Sequence, residues 1–170
     1  MTLHFRRWLA SCALAGILLL PACGPGVGGT GTGNGLDAGA IGLERFGAAP
    51  ASVCVESFAP LLGCETVIGS DQPVLTDEHV FAGPCAVAAF RGDVVDLDIL
   101  CEGLHFSGRW GIDGAGRSRY FGLAGTDPQL SMSEPATLEV VADGETLQLT
   151  LRAADSEILV GPLPVRPSGR

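Results

Sequence analysis

Any chemistry in this 170-residue chain has to come from a short set of side chains. Asp77-Glu78-His79 puts two carboxylates beside an imidazole, and His105 is the only histidine after it. Two histidines without further ligands at recurring short spacings do not make a zinc or other transition-metal shell. Asp93, Asp96 and Asp98, with Glu102 nearby, form the densest acidic run. Calcium asks for six to eight converging oxygens, whereas a strand presents alternate side chains along a line. These acids therefore read as exposed strand carboxylates. No Gly-x-Ser-x-Gly elbow occurs, and no cysteine is expected to stay free beside a histidine. Each route to catalysis lacks a necessary part, so the sequence assigns no catalytic residue, no metal and no cofactor.

One cluster is better suited to binding. Arg109, Arg117 and Arg119 flank a predicted turn and lie close to Trp110 and Tyr120. Guanidinium beside aromatic surface suits an anion or a sugar, which makes these five residues the candidate binding patch. The competing expectation is structural: the arginines pair with the abundant carboxylates, while Trp110, Phe106 and Ile112 share an inward strand face. Gly108-Arg109-Trp110 also resembles the Gly-x-Trp element of lipocalin-like barrels. There it begins the barrel; here only 60 residues follow Trp110.

Four cysteines, Cys54, Cys64, Cys85 and Cys101, are spaced by 10, 21 and 16 residues, with no Cys-x-x-Cys pair. An even number without metal-type spacing points to two disulfides in an oxidising compartment, with three connectivities open. That compartment agrees with the N-terminus. Met1 to Arg7 carries Arg6 and Arg7, and an apolar to weakly polar run follows from Trp8 to Leu20. The run is too short to span a bilayer as a helix. Together they have the form of an export signal. Leu20-Pro21-Ala22-Cys23 then resembles the lipobox of bacterial lipoproteins, although Pro21 departs from the small residue usual there. The resemblance implies a signal peptide over residues 1–22, cleavage before Cys23 and acyl chains on Cys23. It also implies anchoring in a membrane of the cell envelope, and Gly24 after the cysteine implies the outer membrane.

After Cys23 the chain holds eight arginines, no lysine and nineteen acids, a formal charge of −11. Binding to phosphate backbones or anionic headgroups relies on clustered cations, so nucleic acid is not an expected partner. The expected partners are the membrane, through the lipid, and an envelope protein.

The elements that would position these residues are mostly strands. Gly24 to Gly42 contains nine glycines in 19 residues and reads as a flexible tether, residues 23–42, with a reach of roughly 25 Å. A single β domain is expected over residues 43–170. Val95, Leu97, Ile99 and Cys101 alternate with Asp96 and Asp98, the period of a half-buried strand. Thr137–Ala142 and Thr146–Ala153 flank Asp143-Gly144, a hairpin signal of type I′. Further hairpins are expected at Arg91-Gly92 and at Asp113 to Gly116. Asp155-Ser156 turns the chain into Ile158–Val160, where Pro162 and Pro164 are expected to end the pairing. Val53–Ile68 is ambiguous: Pro60 and Gly63 break any long helix, while Val53, Val55, Val67 and Ile68 lean towards strand. Convincing helical periodicity is found nowhere.

The fold class is thus all-β: about seven strands in a small antiparallel meander closing as a barrel, with a two-sheet sandwich as the alternative. The functional expectation is a lipid-anchored, non-enzymatic binding or accessory module of the envelope. The alternatives are a carrier of a small apolar ligand inside the barrel, or a periplasmic inhibitor of a secreted hydrolase.

Overall fold

The strands close on themselves. In the computed structural model, residues 37–55, 57, 59–66, 73–127 and 132–168 are described. The proposed signal peptide, Cys23 and residues 23–36 of the expected tether lie outside them, as do Val67 and Ile68. Eight strands form an up-and-down ring: β4 (His79–Ala82), β5 (Ala86–Arg91), β6 (Val94–Ile99), β7 (Leu104–Ile112), β8 (Ser118–Gly125), β9 (Ser133–Asp143), β10 (Thr146–Ala153) and β11 (Ile158–Pro167). Each pairs antiparallel with its sequence neighbours, and β11 returns to β4 through Ala82↔Arg166 and Phe81↔Pro167. The meander is therefore a barrel and not a sandwich. Closure leaves the sheet without a long free edge, the usual liability of an open β-sheet. The seam is short: beyond its two residue pairs, the Ser168 N–H donates to the Val80 carbonyl at 2.9 Å.

Alternation sorts the side chains as read from the sequence. Val95, Leu97 and Ile99 point inward from β6, and Leu147, Leu149 and Leu151 point inward from β10; all are buried. They join Phe81, Phe90, Phe106, Trp110, Tyr120, Leu138 and Val165 in one core. Ile112 does not; it sits at the end of β7, beyond the ring, and is exposed.

The hairpins fall where turn chemistry puts them, with one change of type. Asp143 pairs with Thr146, so the two-residue loop is Gly144-Glu145, and only Gly144 has positive φ (62°). A positive φ at the first central residue alone marks type II′ and not the expected I′. Pro162 and Pro164 do not end the pairing. β11 runs through both prolines, because its ladder with β10 skips one residue between Leu149↔Leu163 and Leu151↔Val160. At that bulge Gly161 has φ 122°, and a Cβ there would lie 2.6 Å from the Leu149 carbonyl oxygen. Bulges bend and coil a strand, which closure of a small barrel demands.

Two further differences concern residues before the barrel. α1 (Ala38–Phe46) is a helix, so residues 38–42, expected to belong to a flexible tether, are helical and packed. Asp37 caps it, accepting from the Ala40 N–H at 3.0 Å, and Gly47 ends it in the left-handed conformation. The helix lies outside the barrel on β7 and β8. Phe46 meets Phe121, and Ala38 and Ile41 meet Leu123. A Cβ on Gly42 would stand 2.4 Å from the Gly122 Cα. Helix and strand thus touch backbone to backbone, and this contact offsets the poor helix propensity of glycine, about 1 kcal/mol per residue.

The stretch expected to lean towards strand, Val53–Ile68, is mostly a stapled cap. β1 (Ala49–Pro50) pairs antiparallel with the end of β7, and a 3₁₀ turn (Val53–Val55) and the one-turn helix α2 (Ala59–Leu62) follow. The two-residue strands β2 (Glu65–Thr66) and β3 (Pro73–Val74) pair with each other. Val53, Leu62 and Leu75 enter the barrel core. The Ala51 N–H donates to the Trp110 carbonyl, and the Val53 N–H donates to the Asp93 carboxylate at 3.2 Å. This segment closes the barrel end formed by the β5–β6 and β7–β8 turns. Among the described residues, all core clusters lie between Ala38 and Val165, within the compact unit of residues 34–170.

Candidate functional site

The five residues of the expected patch are not brought together. Trp110 and Tyr120 point into the barrel, ring centroids 5.0 Å apart and edge to face, and Tyr120 meets Phe90 at 5.9 Å. The arginines are on the outside, each beside a carboxylate. Arg109 lies 4.0 Å from Asp37, at the cap of α1. Arg117 donates to Asp113 at 2.8 Å within the β7–β8 turn. There the Arg117 backbone N–H, aided by its guanidinium and the Ala115 N–H, holds the Asp113 carboxyl below its ordinary range. Arg119 is buried and shares Glu139 with Arg152, at 3.5 and 3.0 Å. Alternation along β7 and β8 sends Trp110 and Tyr120 to the side of the wall opposite Arg109 and Arg119.

The acidic and histidine candidates are likewise divided among structural partners. Asp93 anchors the cap. Arg91 bridges Asp96 (2.7 Å) and Glu78 (2.9 Å), and the His105 ring donates from Nδ1 to Asp98 across the β6–β7 pair. His79 lies against Gly63 of the cap. Among the described residues, no three His, Cys, Asp or Glu side chains converge as a metal shell.

The disulfides are Cys54–Cys64 and Cys85–Cys101. The first staples the cap. The second joins the entrance of β5 to the exit of β6, where the Leu100 N–H also donates to the Cys85 carbonyl at 2.7 Å. It therefore braces the opposite end of the barrel, formed by the β4–β5, β6–β7, β8–β9 and β10–β11 connections.

The two ends differ in what fills them. Beneath the cap stand Phe90, Trp110 and Tyr120, fully or almost fully buried. The Tyr120 hydroxyl makes no hydrogen bond among the described residues, and burial, with a contribution from the Asp93 charge, pushes its phenol well above the ordinary value. Towards the other end four inward positions are small, Ala86 on β5, Ala124 on β8, Ala136 on β9 and Ala153 on β10, beside the larger Ile99, Leu104 and Phe106. Small side chains inside a barrel leave space.

That space is an apolar mouth of about 290 Å³, lined by Leu104, Ala124, Ala136, Ala153, Leu159 and Met132, with Glu134 and Thr126 among its polar groups. Ala124 and Ala136 belong to the core, so the mouth continues inward from the surface. Around this end Leu100, Met132, Ile158 and Leu159 are exposed large apolar side chains. Single exposed apolar residues are ordinary; several around one concave opening mark a binding surface. A larger groove of about 470 Å³ lies on the outer wall between β10, β11 and the β4–β5 turn. Asp143, Thr146, Gln148 and Arg166 line it, the polar complement of an ordinary solvated face.

No protein family, curated protein or solved structure matches this chain. Sequence reasoning missed the mouth because it is built from residues without functional groups. The available signal was size: four inward strand positions at the open end are alanine, beside Ile99, Leu104 and Phe106, whereas Phe90, Trp110 and Tyr120 gather under the cap.

Proposed function

We propose that the protein is a lipid-anchored, non-enzymatic binding module of the bacterial envelope, and that the open mouth of its barrel is the binding site. The observation that carries the reading is the unequal filling of the barrel, one end packed with aromatics under a stapled cap and the other an apolar opening of about 290 Å³. Pre-formed apolar concavities of this size hold small ligands or one inserted side chain. The anchor belongs to the proposal through Leu20-Pro21-Ala22-Cys23, and the pairing of the other four cysteines after residue 23 supports passage through an oxidising compartment. The carrier alternative narrows to this mouth, since the rest of the barrel interior is occupied by buried side chains.

The test has two arms. Mass spectrometry of protein extracted from the producing cell's membranes reads the anchor: the expected N-terminus is acylated Cys23, and an intact leader or an unmodified Cys23 would remove that half. The neutral dye N-phenyl-1-naphthylamine, titrated into residues 34–170, reads the site. Saturable fluorescence gain that Ala153→Leu abolishes is expected. A gain that the substitution leaves unchanged would place binding elsewhere.

A further inference from the structure

The charge around the mouth points to the class of ligand. Glu134 lines the opening, is exposed, and makes no ion pair among the described residues. Glu102 in the β6–β7 turn and Asp155 and Glu157 in the β10–β11 turn are exposed at the same end. Among the described residues, no arginine sits in the connections at this end, and the chain has no lysine. Arg152 on β10, next to Ala153 of the lining, is held against Glu139 at 3.0 Å and donates to the Ser156 carbonyl at 3.1 Å. An apolar cleft with a collar of one sign concentrates the field of that sign at its entrance.

We infer that the mouth takes a small cationic amphiphile, an ammonium group on an apolar body of about ten heavy atoms. The size follows by proportion from an apolar cavity of about 150 Å³ that holds benzene. The apolar end enters between Leu104, Ala124, Ala136 and Ala153, and the ammonium stays at the rim beside Glu134, where it keeps part of its hydration. The same collar disfavours fatty-acid carboxylates and the anionic headgroups of a membrane surface. Met132 and Leu159 then close over the apolar body without needing a polar partner. This inference rests on the mouth being the binding site and adds the sign of charge that it selects.

Calorimetric titration of residues 34–170 with octylammonium, octanol and octanoate at low salt tests both levels separately. Octylammonium is expected to bind about tenfold tighter than octanoate, with octanol between them. Glu134→Gln should weaken octylammonium about threefold and leave octanol unchanged. Ala153→Leu should weaken all three; Leu159→Ala is the companion variant, placed on the exposed rim where folding is not at stake. Equal affinity for the three ligands, or an ammonium preference that survives Glu134→Gln together with neutralisation of Glu102, Asp155 and Glu157, would overturn the charge inference and leave the mouth as a site. Absence of binding by all three would overturn the site itself. Ammonium binding indifferent to both Ala153→Leu and Leu159→Ala would assign the cation to another surface and overturn the inference.

Discussion

Tyr120 is the only tyrosine in the chain, which makes its buried hydroxyl directly observable. The ring packs between Trp110 and Phe90, and Tyr120→Phe keeps both contacts while deleting an oxygen that has no hydrogen-bond partner among the described residues. Burying a hydroxyl unpaired costs roughly 1–3 kcal/mol, so the substitution should raise stability at neutral pH by about 1 kcal/mol. In a domain of this size that is a rise in melting temperature of about 3–5 °C. The pH dependence has a definite sign. The folded phenol titrates above its unfolded value of 10.0, so its contribution is complete below that pH. Above it the unfolded chain releases the proton first, and stability falls by up to about 1.4 kcal/mol per pH unit. Denaturant titrations between neutral pH and about pH 11 should show this loss in the wild type and its reduction in Tyr120→Phe. Absorbance at about 295 nm should report no phenolate until the protein unfolds. A reversible phenolate titration near the ordinary value in folded protein, or a Tyr120→Phe variant less stable than wild type, would refute the reasoning.

Gly42→Ala should lift α1 from β8, since its Cβ would meet the Gly122 Cα at 2.4 Å; a loss of about 1–3 kcal/mol is expected in thermal melts, and an unchanged melt would show that the helix does not rest there. Intact mass before and after reduction and alkylation should show all four cysteines oxidised, and non-reducing peptide mapping should show them paired as Cys54–Cys64 and Cys85–Cys101. Breaking either bridge should cost about 3 kcal/mol by the loop-entropy argument, and free thiols in exported protein would contradict the assignment. Cys23→Ala should block lipid attachment and maturation, read by labelling with a tagged fatty acid; continued labelling would move the attachment elsewhere.

How much of this was legible in the sequence depended on where the deciding interaction lies. Strands β6 and β10 were readable because Val95, Leu97, Ile99 and Leu147, Leu149, Leu151 report burial with period 2, a local consequence of a long-range core. The hairpins at Gly92, Gly116 and Gly144 were readable because positive φ selects glycine locally. α1 was not. Its Ala38, Gly39, Gly42 and Leu43 face carries little hydrophobic signal, and its stability comes from touching Gly122, far along the chain. Asp37 and Gly47, a cap at each end, were the available clue. β11 defeated the proline rule because a bulge and a short seam with β4 remove the need for those missing N–H groups. The binding patch failed for a simple reason: Arg119 and Tyr120 are neighbours in sequence and opposite in space. The mouth needed knowledge of which alanines share a barrel end, information that strand register supplies and spacing does not.

The central claim, that the protein binds at the open end of its barrel, is tested most directly by methyl NMR of residues 34–170 titrated with octanol. The methyl groups of Leu104, Met132 and Leu159 should shift saturably and together, while those of Leu62 under the cap and Leu149 in the core stay fixed. Shifts confined to the outer groove near Thr146, or no saturable shift at the mouth, would contradict the account.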